Sequence, residues 1–170
     1  MASRFICYKN VKNMKVTVTQ RVIGSKSKTF LNKINVDDEL YLYCKSHIWA
    51  KLIVTSEGFE DSSRLWNDDI YPYRFIVDIT DVLKEPLSIE KVGGSHLLRE
   101  KYGPQWGFKV LFTPNELPEN LINLLNSSMK DVANVHCNEH ESFFEGKFLF
   151  GLKGRKLEIE KQKLEAKNGK

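Results

Sequence analysis

Short apolar runs separated by polar turns dominate the first two thirds of the sequence. Residues 39–44 and 48–54 are the clearest of these runs, and the three polar residues between them predict a β-hairpin. The same pattern of alternating or clustered apolar residues predicts further strands at residues 4–8, 16–19, 73–79 and 107–112.

Helical spacing of apolar residues is clear in one segment, residues 118–126, where Pro118 suits a first helical turn. Residues 29–34 predict a short helix, and residues 87–105, with their glycines, predict mainly loop with one helical turn. Short, closely spaced strands with one good helix late in the chain predict a small α+β or barrel-like domain, not an alternating doubly wound sheet.

Length and composition set the broad class. A chain of 170 residues suits one domain with its own core, which we place at residues 1–150, followed by a basic extension or linker at 151–170. No apolar run approaches the ~20 residues that span a bilayer. The chain start lacks a signal peptide's apolar stretch, and three cysteines are too few for a disulfide framework. These features predict a cytoplasmic protein with no membrane partner.

The charge distribution is more informative than the net charge of +4. Residues 1–36 carry eight Lys or Arg and no acid, and residues 37–146 carry ten basic and nineteen acidic side chains. Residues 147–170 are basic again, with eight basic and three acidic residues. Two basic ends around an acidic middle are typical of a positive surface that meets a polyanion. A solvated face with an unstructured basic tail explains the pattern equally well.

The most specific stretch of the sequence lies between residues 34 and 83. It contains an acidic pair before a strand, a Trp-containing hairpin, and Trp66 followed by Tyr71-Pro-Tyr-Arg-Phe75. This stretch resembles the core of EVE domains. Related YTH domains place two pocket aromatics five residues apart, and Trp66 and Tyr71 have that spacing. The resemblance covers roughly residues 4–126.

The resemblance implies a PUA-like fold, a small twisted β-barrel with flanking helices, that holds an extruded base between aromatic rings. Trp66 and Tyr71 are the implied pocket walls, and Tyr8 and Asn10 are the implied base contacts. The implied contacts to the nucleic-acid backbone are Lys9, Lys12, Ser25, Lys26 and Lys28. Without the resemblance, Trp66 and Tyr71 are more simply interpreted as core aromatics at a sheet end.

The sequence departs from the YTH pattern at one pocket wall. A Trp followed by small hydroxyl residues forms that wall in the family, whereas this chain has Val22-Ile-Gly-Ser25 there. Three explanations stay open: Ile23 supplies a thinner wall, Trp49 on the hairpin replaces the missing ring, or the pocket takes a differently shaped base.

The function implied is recognition of a modified base by flipping, with N6-methyladenine in DNA favoured over modified cytosine and over RNA. Two settings fit the resemblance. One is the targeting module of an Mcr-type modification-dependent restriction system, with a motor domain on its C-terminal side. The other is a free-standing EVE protein. No catalytic activity and no cofactor are expected of such a module.

Two other constellations indicate rival chemistry. His136, Cys137 and His140 lie close together, but a structural zinc site needs a fourth ligand, so no metal is predicted. Glu145 and Lys147 match half of a nuclease motif, so a small magnesium-dependent nuclease is the rival function. A protein-interaction domain is a third possibility, and it predicts no salt-sensitive binding to oligonucleotides.

Overall fold

A mixed sheet of seven strands organises the structure, a computed structural model that describes residues 1–130 and 134–135. The strands are β1 (Ser3–Tyr8), β2 (Val22–Ser25), β3 (Glu39–Cys44), β4 (His47–Val54), β5 (Phe59–Glu60), β6 (Tyr73–Ser88) and β7 (Asn134–Val135). The helices are α1 (Val11–Gln20), α2 (Phe30–Lys33), α3 (Gly94–Tyr102), α4 (Trp106–Val110) and α5 (Glu119–Lys130).

The sheet order β1-β3-β4-β6-β2 leaves β1 and β2 at opposite ends. Only the β1–β3 pair is parallel, and the other pairs in the described residues are antiparallel. The long strand β6 pairs with β2 and β5 near its start and with β4 and β7 further along. Register shifts in the β4–β6 pair increase local twist, and the sheet curls into a half-barrel.

Strand β3 shows how the sheet separates two cores. Its side chains alternate between faces, so Leu40 and Leu42 enter one cluster and Tyr41 and Tyr43 enter the other. Helices α1 and α2 cover the first cluster, and α3, α4 and α5 cover the second. A half-barrel with helices on both faces confirms the expected small α+β fold.

The predicted strand at residues 16–19 is wrong, because this segment is the second half of α1. The Asn10 side chain accepts a hydrogen bond from the Asn13 backbone N–H at 2.8 Å and caps the helix start. Met14, Thr17 and Val18 are then buried on one helical face. The alternating Val and Thr residues favour a strand locally. The Asn10 cap and the burial of one helical face stabilise the helix more than this local preference disfavours it.

The predicted strand at residues 107–112 is also wrong, since α4 covers most of it. Residues 87–105 contain a helix of nine residues, α3, where mainly loop was expected. The other predicted strands and the two predicted helices are present, although β6 extends to Ser88.

Several sequence predictions fall on residues that the structure does not describe. These are the possible metal ligands His136, Cys137 and His140, the nuclease pair Glu145 and Lys147, and the domain boundary at residue 150. Among the described residues, no helix is long and apolar enough to cross a membrane. Within the same residues, no group of three or more His, Cys, Asp or Glu side chains could hold a metal ion.

Candidate functional site

A cavity of about 470 Å³ lies between the two end strands of the half-barrel. One side is formed by β1, and the other by β2 and the turn that leads into α2. Because β1 and β2 do not pair with each other, the half-barrel stays open along this side, and the cavity lies in the gap between the two strands. The lining residues are Phe5, Ile6, Cys7, Tyr8, Lys9, Asn13, Gly24, Ser25, Lys26, Ser27, Thr29, Phe30, Trp66, Tyr71, Leu111, Phe112, Thr113 and Pro114.

Trp66 lies in one wall of this cavity. Its side chain is only 2 % exposed, and its indole N–H donates a hydrogen bond to the Asn13 carbonyl at 3.2 Å. The Arg74 guanidinium lies 5.5 Å from the ring centroid, within cation–π range. Trp66 therefore joins α1 to β6 through its packing and offers a bound base little free ring surface in this conformation.

Gly24 makes this close packing possible. A Cβ atom at residue 24 would lie 2.9 Å from Cη2 of Trp66 and 3.1 Å from Cβ of Tyr71. Any larger residue would push the aromatic pair away from β2. The glycine stands next to Ile23, within the segment where the YTH pattern has a Trp, so this wall of the cavity contains backbone instead of a ring.

Tyr71 is the half-buried aromatic residue of the pair. Its ring meets Trp66 edge-to-face, with centroids 5.3 Å apart and planes at 81°. Its hydroxyl donates to Oδ2 of Asp68 at 2.7 Å, and Asn13 Nδ2 donates to the same oxygen at 3.0 Å. These two hydrogen bonds fix the orientation of the Tyr71 ring, and the ring forms part of the cavity wall.

The Tyr71–Asp68 hydrogen bond also contributes to shifting the pKa values of both groups further from neutrality. Burial and the contact with Asp68 raise the pKa of Tyr71 to about 12, so the hydroxyl remains a donor at neutral pH. Partial burial raises the pKa of Asp68, but hydrogen bonds from Asn13 and Tyr71 outweigh it and lower the pKa below its ordinary value. Asp68 is therefore a carboxylate at neutral pH.

Lys26 supplies positive charge at the cavity rim. Its ammonium forms an ion pair with Asp69 and lies 5.8 Å from the centroid of the Tyr71 ring. The hydrogen bond from Lys26, together with the Ile70 backbone N–H, lowers the pKa of Asp69. Both partners of this pair are well exposed, so solvent weakens the attraction and the lysine can exchange Asp69 for another anion.

Three more predicted residues, Tyr8, Lys9 and Ser25, line the same cavity. The Tyr8 hydroxyl hydrogen-bonds the Thr17 hydroxyl, which ties the end of β1 to α1. Burial raises the pKa of Tyr8, although the Thr17 contact opposes the shift. The Ser25 hydroxyl accepts from the Ser27 backbone N–H at 3.1 Å and shapes the turn before α2. The structure thus brings together Trp66, Tyr71, Tyr8, Lys9, Ser25 and Lys26.

The remaining predicted residues lie outside the cavity lining. Ile23 and Trp49 both belong to the buried core, and the Trp49 indole N–H donates to the Cys44 carbonyl at 3.0 Å. Neither residue replaces the missing ring in this arrangement. Asn10 caps α1, while Lys12 and Lys28 are exposed beside the site.

One wall of the cavity is formed by residues that no sequence pattern predicted. Residues 111–114 follow α4 and face the cavity beside β1. The Arg4 guanidinium donates to the Pro114 carbonyl at 2.7 Å while its Nε donates to Asp38 at 3.0 Å. The Leu117 N–H also donates to the Ser3 carbonyl at 2.8 Å. No local sequence signal marks this wall, because the Arg4–Pro114 and Ser3–Leu117 contacts join residues more than a hundred positions apart.

Comparisons with known proteins show the fold. No family model matches the sequence, and no curated protein matches it at a significant level. Among solved structures, the Toxoplasma CPSF4-YTH domain in apo form is similar with a TM-score of 0.59 and 16% identity, covering 79% of this chain and 90% of that chain. The Pho92 YTH domain in complex with m6A has a TM-score of 0.56 and 13% identity, covering 76% and 83%.

A third similar structure is the human THYN1 protein in complex with 5-methylcytosine-containing DNA. Its TM-score is 0.51 at 11% identity, and the match covers 76% of this chain and 98% of that chain. At these identities the likeness concerns the path of the backbone. The curled sheet with flanking helices and the three structural matches together show that this chain has the small α+β, PUA-like fold of those YTH and THYN1 structures.

Proposed function

We propose that this protein binds nucleic acid and holds one modified base in the cavity between β1 and β2. The observation that carries the proposal is the Tyr71 ring, held by Trp66 and Asp68 at the wall of a cavity with a basic rim. The volume of about 470 Å³ lies within the range of small-molecule pockets, ~300–1,000 Å³.

An aromatic wall suits an extruded base. Removing a base from its stack costs a few kcal/mol. Stacking on one aromatic face returns ~1–3 kcal/mol, whichever base is bound. A methyl group adds only ~1–3 kcal/mol of discrimination when it is buried against apolar surface. In this cavity, Ile6, Phe30 and Leu111 supply apolar lining beside Tyr71.

Polar groups next to Tyr71 can read the edge of the base. Asn13 lines the cavity, and its side-chain amide can both donate to and accept from the polar edge of a base. Asp68 lies outside the lining, where its carboxylate orients the Tyr71 hydroxyl and the Asn13 amide. Lys9 and Lys26 lie where they can contact the phosphates that flank an extruded nucleotide, and such contacts hold the strand without reading its sequence.

Our preferred ligand is N6-methyladenine in DNA, with modified cytosine and RNA as the alternatives. Similar folds have been solved with both kinds of modification, m6A for the Pho92 YTH domain and 5-methylcytosine DNA for human THYN1. We further propose that the module targets a modification-dependent restriction complex with a C-terminal motor, an idea supported by the sequence resemblance.

The test is a binding panel read by fluorescence anisotropy. Oligonucleotides carrying N6-methyladenine, 5-methylcytosine or the plain base are compared as DNA and as RNA. We expect wild type to prefer a modified strand and Tyr71→Ala to lose ~1–3 kcal/mol on that strand. The loss on plain strands should be much smaller, because non-specific contacts go to phosphates.

Tyr73→Ala is the matched control, since Tyr73 lies two residues away on β6 and outside the cavity lining. Tyr71→Phe separates the ring from the hydroxyl that binds Asp68. Equal affinity of wild type for modified and plain strands in both backbones would contradict the proposal.

A further inference from the structure

Two exposed phenylalanines lie beside the cavity. Phe108 is 63 % exposed and Phe112 is 75 % exposed, although large apolar side chains are normally covered. The two rings are stacked, with centroids 5.3 Å apart and planes inclined by 28°. Each ring therefore covers one face of the other, and the second face of Phe112 is open to solvent.

The position of this pair connects it to the site. Phe112 itself lines the cavity, within the wall at residues 111–114. The Asn115 side chain donates to the Lys109 carbonyl at 2.6 Å, and Arg4 holds Pro114. The backbone around Phe112 is thus held against β1 and α4, which places this residue at the rim of the cavity.

The charges around the pair suit a nucleic-acid strand. Lys9 and Lys26 line the same cavity, and the Lys33 ammonium lies 3.2 Å from the Asn115 side-chain oxygen. Lys109, which follows Phe108 in the sequence, is also exposed. Alternation of flat aromatic faces with cations is the arrangement that binds single strands, because bases stack while phosphates pair with the lysines.

We propose that Phe112, supported by Phe108, is a stacking platform for the base next to the one held in the cavity, and that the target is therefore an unpaired strand. This inference rests on the proposed function and adds the substrate class to it. In a duplex, the base beside an extruded nucleotide stays paired inside the helix, and its freed face opens only into the gap between base pairs, so it cannot turn outward onto a ring pair at the protein surface. In a single strand, the base beside an extruded nucleotide has lost one neighbour, and the open face of Phe112 replaces it.

The experiment removes the neighbouring base and the ring in turn. Short single-stranded DNA with one N6-methyladenine is compared with the same strand carrying an abasic site on the 5′ or the 3′ side of the modified nucleotide. A parallel series carries 5-methylcytosine. We expect one of the two abasic sites to weaken wild-type binding by about 5- to 150-fold, the range that one stacked base contributes.

The variant Phe112→Ala should weaken binding to the intact strand by a similar factor and become insensitive to that abasic site. Phe112→Trp should retain the affinity, whereas Phe112→Leu should not, because leucine keeps the apolar contact and loses the flat ring. Val36→Ala is the matched control, since Val36 is an exposed apolar residue outside the cavity lining. On duplex DNA, Phe112→Ala should bind as wild type does.

Failure of this inference is distinguishable from failure of the proposed function. If wild type prefers the modified strand but Phe112→Ala behaves as Val36→Ala, the platform is wrong and the cavity proposal stands. Self-association of wild type that Phe108→Ala abolishes, with nucleic-acid binding unchanged, would assign the pair to a contact between two copies and also overturn the platform. If wild type binds no strand with salt sensitivity, both proposals fail together.

Discussion

Two walls of the same cavity use aromatic side chains in opposite ways. On one side, Trp66 is 2 % exposed and is held by a hydrogen bond, a guanidinium and the Tyr71 ring. On the other side, Phe112 is 75 % exposed and its ring stacks on that of Phe108. The Trp66 side chain is packed inside the protein, whereas most of the Phe112 surface is accessible to a ligand.

The contrast indicates which substitutions report on folding and which report on binding. Burial gives Trp66 a large role in the free energy of unfolding, so any loss of binding after its removal has a structural component. Phe112 contributes little to the free energy of unfolding, so replacing it should leave the fold unchanged and alter only binding. Tyr71 lies between the two, with one side packed on Trp66 and another facing the cavity.

The largest expected effect is on stability. Trp66→Ala should lower the free energy of unfolding by ~3–5 kcal/mol, the usual cost of removing a buried Trp or Phe ring. Phe112→Ala should change it by no more than ~0.5 kcal/mol, as for an exposed residue. Urea denaturation of both variants beside wild type measures the difference. If the Trp66→Ala protein is well folded and prefers the modified strand as strongly as wild type does, Trp66 has no role in binding the modified base.

A second prediction concerns the close approach of β2 to the aromatic pair. Gly24→Ala should destabilise the protein by ~1–3 kcal/mol, because the new methyl group would overlap the Trp66 ring. It should also weaken binding to modified strands by displacing Tyr71. Gly107→Ala is the matched control, since its Cβ would meet Leu111 at an ordinary 3.7 Å. Equal thermal stability of the two variants would contradict the packing described for Gly24.

A third prediction concerns the charged rim. Replacing Lys9, Lys26 and Lys28 together by Gln should make log affinity depend less steeply on log salt concentration. The slope should fall by ~0.7 for each single-strand phosphate that the variant no longer neutralises. Lys45, Lys91 and Lys101 are exposed and lie outside the cavity lining, so their replacement is the control. An unchanged slope in the variant lacking Lys9, Lys26 and Lys28 would show that other residues on the surface bind the phosphates.

The smallest expected effect is on pH dependence. Because the folded-state pKa of Asp68 lies below its unfolded value, its contribution to stability is present at neutral pH and is lost as pH falls through the folded-state pKa. The difference in melting temperature between wild type and Asp68→Asn should therefore be present at pH 7 and shrink below about pH 4. A difference that grows on acidification would show that the hydrogen bonds from Asn13 and Tyr71 do not favour the carboxylate.

Local sequence patterns predicted the fold better than they predicted the site. The strand at residues 39–44 needs only its own apolar run, and the five-residue spacing of Trp66 and Tyr71 is visible without any structure. The helix at residues 11–20 was partly mispredicted, because its Val and Thr residues favour a strand until the Asn10 cap and the buried face are taken into account.

The rest of the site depends on contacts between distant segments. The sequence offered Ile23 as a cavity wall. Successive residues of a strand face opposite sides, so the Ile23 side chain enters the core and Gly24 faces the aromatic pair. Phe112 reaches the cavity because Arg4 holds Pro114 across 110 positions of sequence. No periodicity or spacing in a single sequence encodes such an interaction.

The central claim is that the cavity between β1 and β2 takes a modified base, and chemical-shift mapping tests it most directly. Labelled wild-type protein is titrated with a single-stranded DNA that carries N6-methyladenine, and then with the same strand carrying adenine. We predict that the amide signals of Lys9, Gly24, Ser25 and Tyr71 shift strongly with the modified strand and much less with the plain one. Equal shifts with both strands, or shifts confined to the face covered by α3 and α5, would contradict the account.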